Sequence, residues 1–322
     1  MLYNAMTYNI VQILKNASQW QLNLLVLIKK QYILYVVADF YKLRVFFMRN
    51  GIVIDKLKCT GCGSCVRDCM VKAIVMDEQE HIPVMAPDGL KLCFNCQHCL
   101  AICPTGALSV NGITPGESPA KGNLPSPADM ANLIRMRRSI RQFSDKELNK
   151  EKLEILIDSL HWSPTGCNDH RLRFFVAGKN EIAEFRKITD RYLRFMIKSG
   201  LMSLLVPRYK RYFDDILKGE DVIYRNAPHM IVVMSPKKAP CTQSDPVIAL
   251  TQFDLFAQSC NVGTCWCGFA ERAFKMIPSL RRMIGCPRDY YVGGAMLFGT
   301  PSVSYCRASN PEKFDVSYRI KK

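Results

Sequence analysis

Eight of the 15 cysteines of this 322-residue chain lie in one short segment, between Cys59 and Cys103. The pattern C-x2-C-x2-C-x3-C occurs there twice, and each cysteine of the first copy has a counterpart 34 residues later. Ala73-Ile74 after the first copy is matched by Ala107-Leu108 after the second, so the segment is an internal duplication. The eight cysteines are Cys59, Cys62, Cys65, Cys69, Cys93, Cys96, Cys99 and Cys103.

Cysteines at this density in a long chain indicate bound metal, because disulfide scaffolds are typical of short secreted proteins. Three thiolates two residues apart can wrap a loop around three irons of a cubane cluster. The fourth, expected at the start of a short helix, then points toward the other cluster. The sequence therefore predicts one [4Fe–4S] cluster on Cys59, Cys62, Cys65 and Cys103, and a second on Cys93, Cys96, Cys99 and Cys69.

Paired zinc sites are the competing interpretation, because two C-x2-C pairs can hold zinc. Zinc takes only four ligands, and it gives no reason for the third and fourth cysteines at these intervals. The segment resembles the bacterial two-cluster [4Fe–4S] ferredoxins over residues 52–112. The first copy departs from that family at one point, since Met70 follows Cys69 where Pro104 follows Cys103.

A change of composition separates this segment from the rest of the chain. Residues 111–129 contain four Pro, three Gly and two Ser, which is typical of an exposed connector. We therefore predict a two-cluster domain over 51–112, a linker over 113–129 and a second domain over 130–322, after an extension, 1–50, to which the sequence assigns no role. A tether raises the effective concentration of one domain at the other, which favours electron delivery within one chain.

The first 50 residues are apolar but interrupted, with six Lys or Arg and one acid. No stretch reaches the roughly 20 apolar residues of a membrane helix, and the order of charged and apolar residues differs from that of a secretory signal. A membrane-surface anchor and an extension without catalytic consequence both remain open. We expect no transmembrane span and a cytoplasmic location.

The chain is basic, with 44 Lys and Arg against 28 Asp and Glu and a formal charge of +16. The first 50 residues supply +5 of this charge, and the rest is dispersed rather than gathered in one stripe. Net charge is the one feature of the sequence that would support nucleic-acid binding, and it is not sufficient by itself. We therefore expect no nucleic-acid partner. With 48% apolar residues the chain is also neither disordered nor collagen-like.

The second domain opens with a predicted helix over 130–136 that leads into R-R-S-I-R at 137–141. Guanidinium groups clamp phosphate oxygens in pairs and a hydroxyl adds a donor, so this motif suits a phosphate and a polar ring edge. Basic runs at helix ends are also often plain solvated surface. The elements predicted further along are a helix over 151–161, a loop over 163–168, strands over 174–177 and 230–234, and a buried helix over 247–262.

These pieces, in this order, resemble the nitroreductase family of FMN flavoproteins over residues 130–310. The resemblance implies an α+β fold and a homodimer with FMN between its subunits, here preceded by a ferredoxin-like cluster domain. No protein acid or base is assigned, because the flavin N5 does the chemistry. The residues that the resemblance implies for FMN are Arg137, Arg138, Ser139, Arg141, Pro164, Thr165, Gly166, Asn168, Gly268 and Arg307.

The family also implies a role for each part of this set. Arg137, Arg138 and Ser139 are expected at the phosphate and ribityl oxygens, with Arg307 near the phosphate. Arg141 is expected at the pyrimidine edge of the flavin. The loop S-P-T-G-C-N at 163–168 contributes Asn168 as a hydrogen-bonding residue, and G-T-C-W-C-G at 263–268 contributes the backbone of Gly268.

The whole chain resembles the fused ferredoxin–nitroreductase proteins of anaerobic microbes. This implies an oxidoreductase that passes electrons from a low-potential donor through two [4Fe–4S] clusters to FMN, and on to a small electron-poor acceptor such as a nitroaromatic or quinone. External ferredoxin or NAD(P)H is the expected donor. Two alternatives stay open: an NAD(P)H-dependent flavin reductase whose clusters are the electron exit, and a non-catalytic redox sensor or electron-transfer partner.

Three further features of the second domain each allow two interpretations. Cys265 and Cys267 can form a strained disulfide or fill the core as free thiols, and we favour free thiols. Trp266 suits either a place beside the flavin or the core. The basic, aromatic stretch 186–211 predicts either a lid over the flavin or a solvated helical face.

Overall fold

The computed structural model of this chain describes residues 51–200 and 207–319. The described residues divide into two compact units that meet between Lys121 and Gly122, inside the proline- and glycine-rich stretch 111–129. The finer limits 51–112, 113–129 and 130–322 stay a prediction. The extension 1–50 and its two interpretations lie outside the described residues. Within the described ranges, no helix is long and apolar enough to cross a membrane.

The first unit is built from two copies of one strand–loop–helix–strand pattern. Each of its two antiparallel ribbons joins a strand of one copy to a strand of the other, since β1 pairs with β4 and β2 with β3. The elements are β1 (Ile52–Ile54), α1 (Ser64–Asp68), β2 (Ile74–Met76), β3 (Pro83–Met85), α2 (Gly89–Leu92), α3 (His98–Ala101) and β4 (Leu108–Val110).

The two copies also share their backbone conformation in the cysteine loops. Gly61 and Gly63 have φ of 65° and 66°, and their counterparts Asn95 and Gln97 have φ of 54° and 60°. The left-handed conformation is rare for residues with a side chain, so the loop geometry is kept even where glycine is not. Gly61 has a second constraint, because a Cβ there would lie 2.8 Å from the carbonyl oxygen of His81.

The second unit is a four-stranded antiparallel sheet, in the order β5-β6-β8-β7, with helices packed on both faces. Together with the first unit it confirms the predicted α+β class. Its elements are α4 (Pro127–Met136), α5 (Lys150–Asp158), β5 (Arg173–Ala177), α6 (Lys179–Lys198), α7 (Lys210–Lys218), β6 (His229–Pro236), α8 (Ser244–Ser259), β7 (Gly263–Trp266), α9 (Gly268–Met276), α10 (Pro278–Met283) and β8 (Tyr290–Gly299).

Strand β6 lies at the centre of the core, with all eight of its residues buried. Met230 and Val232 belong to the hydrophobic cluster on one face of the sheet, and Ile231 and Val233 to the cluster on the other. Both faces are covered, and residues 230–234 of the strand are accordingly all apolar instead of alternating with polar ones.

The buried helix predicted over 247–262 is shifted toward the N-terminus. It begins at Ser244 and ends at Ser259, so Val262 is not part of it. The reason is local: Asn261 has a φ of 55°, a left-handed conformation that ends the helix and turns the chain into β7.

Candidate functional site

A cavity in the first unit is surrounded by four of the eight cysteines. Cys59, Cys62 and Cys65 of the first copy line it together with Cys103 of the second copy. Cys69, which is closer in sequence to the first three, does not line this cavity. The structure therefore brings together the four residues predicted for one cluster.

The other predicted set is brought together in part. Cys93 and Cys96 lie near Cys99 and help to raise the pKa of its thiol, and so does Cys65 of the first set. Cys69 is held as Cys103 is: its Sγ accepts a hydrogen bond from the Ala73 N–H at 3.3 Å. The corresponding bond in the second copy, from the Ala107 N–H to Cys103 Sγ, is also 3.3 Å. That Cys69 joins the other three stays a prediction.

Met70, which replaces the proline of the family, leaves this arrangement intact. Its side chain is 80% exposed. The bond between the Ala73 N–H and Cys69 Sγ forms without a proline after the cysteine. In this respect the two copies place their fourth cysteines alike.

The expectation that the fourth cysteine starts a helix is wrong. Helix α1 begins at Ser64, one residue before Cys65, and Cys69 follows its last residue. Helix α3 likewise begins just before Cys99 and ends before Cys103. The N-cap residue of each helix is left-handed, Gly63 in the first copy and Gln97 in the second, and the helix begins directly after it, one residue before the third cysteine.

The buried thiols suit ligands that bind as thiolates. Burial raises the pKa of Cys65, and it raises the pKa of Cys99 to about 12. Such groups keep their proton until a cation replaces it, so metal binding must release protons. Within the described ranges, no three His, Cys, Asp or Glu side chains converge on one metal ion. Four thiols around a cavity fit a cluster with one iron per cysteine better than a zinc ion.

A cleft of about 590 Å³ lies in the second unit. Three predicted FMN residues line it, namely Ser139, Arg141 and Gly268. It is also lined by aromatic and aliphatic residues of α6, of α7 and the turn before it, and of α9, including Tyr192, Met196, Tyr209, Tyr212, Phe213 and Phe269. The described part of the stretch 186–211 thus lines a cleft and is more than a solvated face.

Gly268 presents bare backbone to this cleft. It is the first residue of α9, where a backbone N–H has no acceptor within the helix. A Cβ at this position would meet nothing within 4 Å. A planar ring can therefore approach the backbone closely at this point.

The residues before Gly268 close one side of the cleft. Cys265 and Cys267 are both free thiols, each 6% exposed, in agreement with the interpretation as core residues. Burial raises the pKa of Cys267 to about 12, so this thiol is protonated at neutral pH. Trp266 lines the cleft and is 36% exposed, which rules out a core position.

Arg137, Arg138 and Arg307 lie outside the residues that line the cleft. Arg137 Nη1 lies 3.3 Å from Asp254 Oδ2. Arg138 Nη2 donates to the carbonyl oxygen of Arg307 at 3.3 Å, and its guanidinium lies 4.7 Å from the centre of the Tyr305 ring. The Arg138 side chain therefore contacts the backbone of Arg307, and that the two arginines bind one phosphate stays a prediction.

The loop 163–168 is placed elsewhere. None of Pro164, Thr165, Gly166 and Asn168 is among the described residues that line the cleft. The Gly166 N–H donates to Asp245 Oδ1 at 3.1 Å, and this docks the loop on the first turn of α8. A single chain therefore does not bring the predicted FMN residues together at one point.

Three charged residues at or beside this cleft do not belong to any of the predicted motifs: Asp254, Arg225 and Arg272. Asp254 is only 3% exposed and lies inside the buried helix α8. A carboxylate among the apolar residues of a buried helix is the sequence signal that could have identified it. Arg225 lines the cleft from a turn before β6. No sequence pattern pointed to Arg225, because only the fold carries that turn to the cleft.

Comparison with known proteins follows the same division of the chain. The nitroreductase family model matches residues 134–300, and the 4Fe-4S dicluster domain model matches residues 58–107. An uncharacterized ferredoxin of Methanocaldococcus jannaschii is 32% identical over 68 residues, 21% of this chain and 87% of that protein. A protein of Archaeoglobus fulgidus named as an NADH dehydrogenase/NAD(P)H nitroreductase is 22% identical over 183 residues, 52% of this chain and 83% of that protein.

Among solved structures, a nitroreductase with bound FMN from Bacteroides fragilis aligns with 60% of this chain and 99% of its own, at 17% identity and a TM-score of 0.49. The family match over 134–300 covers more than half of this chain and confirms the prediction of a nitroreductase-type oxidoreductase. The dicluster match confirms the prediction of two [4Fe–4S] clusters. The chain therefore belongs to the nitroreductase family, with a two-cluster ferredoxin domain ahead of its nitroreductase domain.

Proposed function

We propose that this protein is an FMN-dependent oxidoreductase of the cytoplasm that takes electrons singly from a low-potential donor, through its two clusters, and delivers them in pairs to a small electron-poor acceptor. The observation that carries the proposal is the presence of a dicluster domain and a nitroreductase domain in one chain. Bound FMN supplies the conversion between one-electron and two-electron transfer. A nitro group reduced in this way consumes two electrons and two protons and yields a nitroso group and water.

Unpartnered polar atoms support FMN as the cofactor. Among the described residues, the buried side-chain nitrogen and oxygen atoms without a hydrogen-bond partner are Arg138 Nε, Ser163 Oγ and Ser235 Oγ. Buried polar atoms are normally bonded, so each such atom calls for an explanation. The first two belong to the motifs expected to hold FMN. A phosphate held by Arg138 and Arg307 would satisfy one of them, with Arg141 and the Gly268 N–H at the flavin ring.

A homodimer is the second part of the proposal, because the loop 163–168 and the cleft are separate in one chain. An apolar groove suits contact with a second copy: Ile155, Trp162 and Phe256 line it and are 49%, 63% and 36% exposed. Two copies packed through this groove would let the loop of one complete the FMN site of the other. Trp162→Glu is expected to yield monomers in sedimentation velocity, with loss of FMN; dimers of the variant with full FMN would contradict this.

The name of the Archaeoglobus relative favours a second candidate function, in which NAD(P)H reduces the flavin and the clusters carry electrons away. The two functions differ in the reductant. Anaerobic mixing with reduced ferredoxin, NADH or NADPH is followed at the flavin absorbance. Fast bleaching by ferredoxin supports the proposal, and fast bleaching by NAD(P)H alone supports the second candidate.

The first test measures the iron and FMN content of the purified protein. Two cubane clusters predict about eight iron per chain, together with one FMN. Arg141→Ala is expected to lower FMN retention and turnover while iron content stays full. Arg282→Ala, which removes an exposed arginine of α10 outside the cleft, is the matched control. If the unmodified protein holds about eight iron per chain but no FMN, the proposal is contradicted and a ferredoxin-like electron carrier is favoured.

A further inference from the structure

The cleft of the second unit is cationic. Three arginines line it, Arg141, Arg225 and Arg272, and none of the described residues that line it is Asp or Glu. In the described ranges neither Arg225 nor Arg272 has a carboxylate within 4.0 Å. Arg141 has an expected role at the flavin. The positive charges of Arg225 and Arg272 have no role assigned to them so far.

Arg225 is held in the cleft by a dedicated turn. Asp221 Oδ1 accepts a hydrogen bond from the Tyr224 N–H at 2.8 Å, and Oδ2 accepts one from the Asn226 N–H at 2.9 Å. This carboxylate bonds the backbone on both sides of Arg225 and leaves its guanidinium free. Arg225 itself has a φ of 56°, in the sparsely populated left-handed region. Backbone in this region costs free energy and persists where the surroundings hold it in place.

Arg225 lies beside the end of the cleft where Gly268 presents its backbone. The Cys267 Sγ donates to the carbonyl oxygen of Ile223 at 3.4 Å, which joins this turn to the strand before Gly268. Burial raises the pKa of the Cys267 thiol, and the nearby charge of Arg225 opposes that rise. Arg272 lies one turn of α9 after Gly268, and it lines the same cleft as Arg225.

Three aromatic rings that pack on one another also line this cleft. The ring centres of Tyr209 and Phe269 are 5.5 Å apart, and those of Tyr209 and Tyr212 are 5.9 Å apart. Tyr212 and Phe269 remain 40% and 37% exposed, so part of each ring is open to a ligand in the cleft. Aromatic side chains stack on planar ligands and contribute beyond the area that they bury.

We propose that the cleft selects planar aromatic acceptors that carry an anionic group, with the anion bound by Arg225 and Arg272 and the ring placed against Tyr209, Tyr212 and Phe269. This inference rests on the proposed function and names its substrate class. Arg225 is the main determinant because it is half-buried, whereas Arg272 is exposed and screened by solvent.

The test uses two acceptors of nearly equal shape that differ by one charge, 4-nitrobenzoate and 4-nitrobenzamide. In the unmodified holoenzyme, kcat/KM is expected to be higher for the benzoate. In Arg225→Gln the benzoate-to-benzamide ratio should fall about tenfold or more, the effect of losing one charged hydrogen bond. Arg225→Lys should keep most of the ratio, and Arg282→Gln should keep all of it.

A binding measurement separates this inference from the proposed function. Benzoate and benzamide accept no electrons here, so their dissociation constants are obtained by calorimetry without turnover. Tighter binding of benzoate, lost in Arg225→Gln, supports the inference even if neither nitro compound is reduced. Equal affinities for the two probes overturn it. It is also overturned if Arg225→Gln raises the KM for NADPH and leaves the acceptor ratio unchanged, because the cations then serve nicotinamide.

Discussion

Arg137 donates to the buried carboxylate of Asp254, with 3.3 Å between Nη1 and Oδ2. Asp254 also accepts hydrogen bonds from Thr264 Oγ1 and, at 3.3 Å, from Trp266 Nε1. One charge inside α8 therefore joins the first residue of the R-R-S-I-R motif to β7, which borders the cleft. We infer that Asp254 positions Arg137 and Trp266 and does not touch substrate.

Asp254→Asn is expected to weaken FMN binding, because an amide cannot accept from all three donors as a carboxylate does. The free energy of unfolding should fall by about 1–3 kcal/mol, the cost of leaving a buried donor unpaired. FMN titration and thermal unfolding measure the two effects. The control is Asp289→Asn, at an exposed position. Unchanged FMN affinity in Asp254→Asn would show that Asp254 supports the fold alone.

Replacing glycine by alanine is expected to have opposite effects on stability and FMN affinity at two positions, Gly268 and Gly263. Gly268→Ala places a methyl group in open space, so thermal stability should hold while FMN affinity falls. Gly263→Ala places one 2.6 Å from Ile140 Cγ1, and overpacking of this kind costs roughly 1–3 kcal/mol. Melting temperature and FMN titration of both variants form the test. Full FMN affinity in Gly268→Ala would contradict the approach of the flavin to this backbone.

Cluster assignment is tested by single serine variants. Cys103→Ser should remove the cluster of Cys59, Cys62 and Cys65, and Cys69→Ser the other one. About four of eight iron should remain in each case, with FMN retained. Cys306→Ser, which changes an exposed cysteine outside the duplication, is the control. Cluster spectra that are the same for both variants would show that the fourth cysteines do not serve different clusters.

His229 predicts a dependence of stability on pH. Burial lowers the pKa of His229 from its ordinary 6.5, and its Nε2 accepts a hydrogen bond from the Leu148 N–H at 2.8 Å. Below pH 6.5, His229 binds a proton in the unfolded chain but not in the folded chain, where its pKa is lower. The free energy of unfolding therefore falls as pH drops from 6.5 toward the lower folded value, by at most about 1.4 kcal/mol per unit.

Above pH 6.5 this contribution is constant. His229→Gln keeps a hydrogen-bond acceptor and removes the titration, so the difference in unfolding free energy between the two proteins should shrink from pH 7 to pH 5. Parallel curves for wild type and variant over this range would refute the assignment. The comparison of two proteins cancels the acid sensitivity of the clusters.

Prediction from sequence succeeded where chemistry is local. The spacing of Cys59, Cys62 and Cys65 follows from how a loop wraps a cluster, and strands such as β6 follow from continuous apolar runs. Prediction failed at the ends of elements. The fourth cysteine of each copy does not start a helix, and α8 ends before Val262. A single left-handed residue, Gly63 or Asn261, sets those ends, and helical periodicity does not reveal it.

By itself the sequence determined the cluster chemistry, the two-part organisation and the motif R-R-S-I-R, because each is written in residues close together along the chain. Only the tertiary structure decided which residues of the second unit share a site. It joined Arg137 to Asp254 and brought Arg225 into the cleft. These contacts join residues far apart in sequence. Their geometry depends on the packing of β6 and α8, which no local pattern encodes.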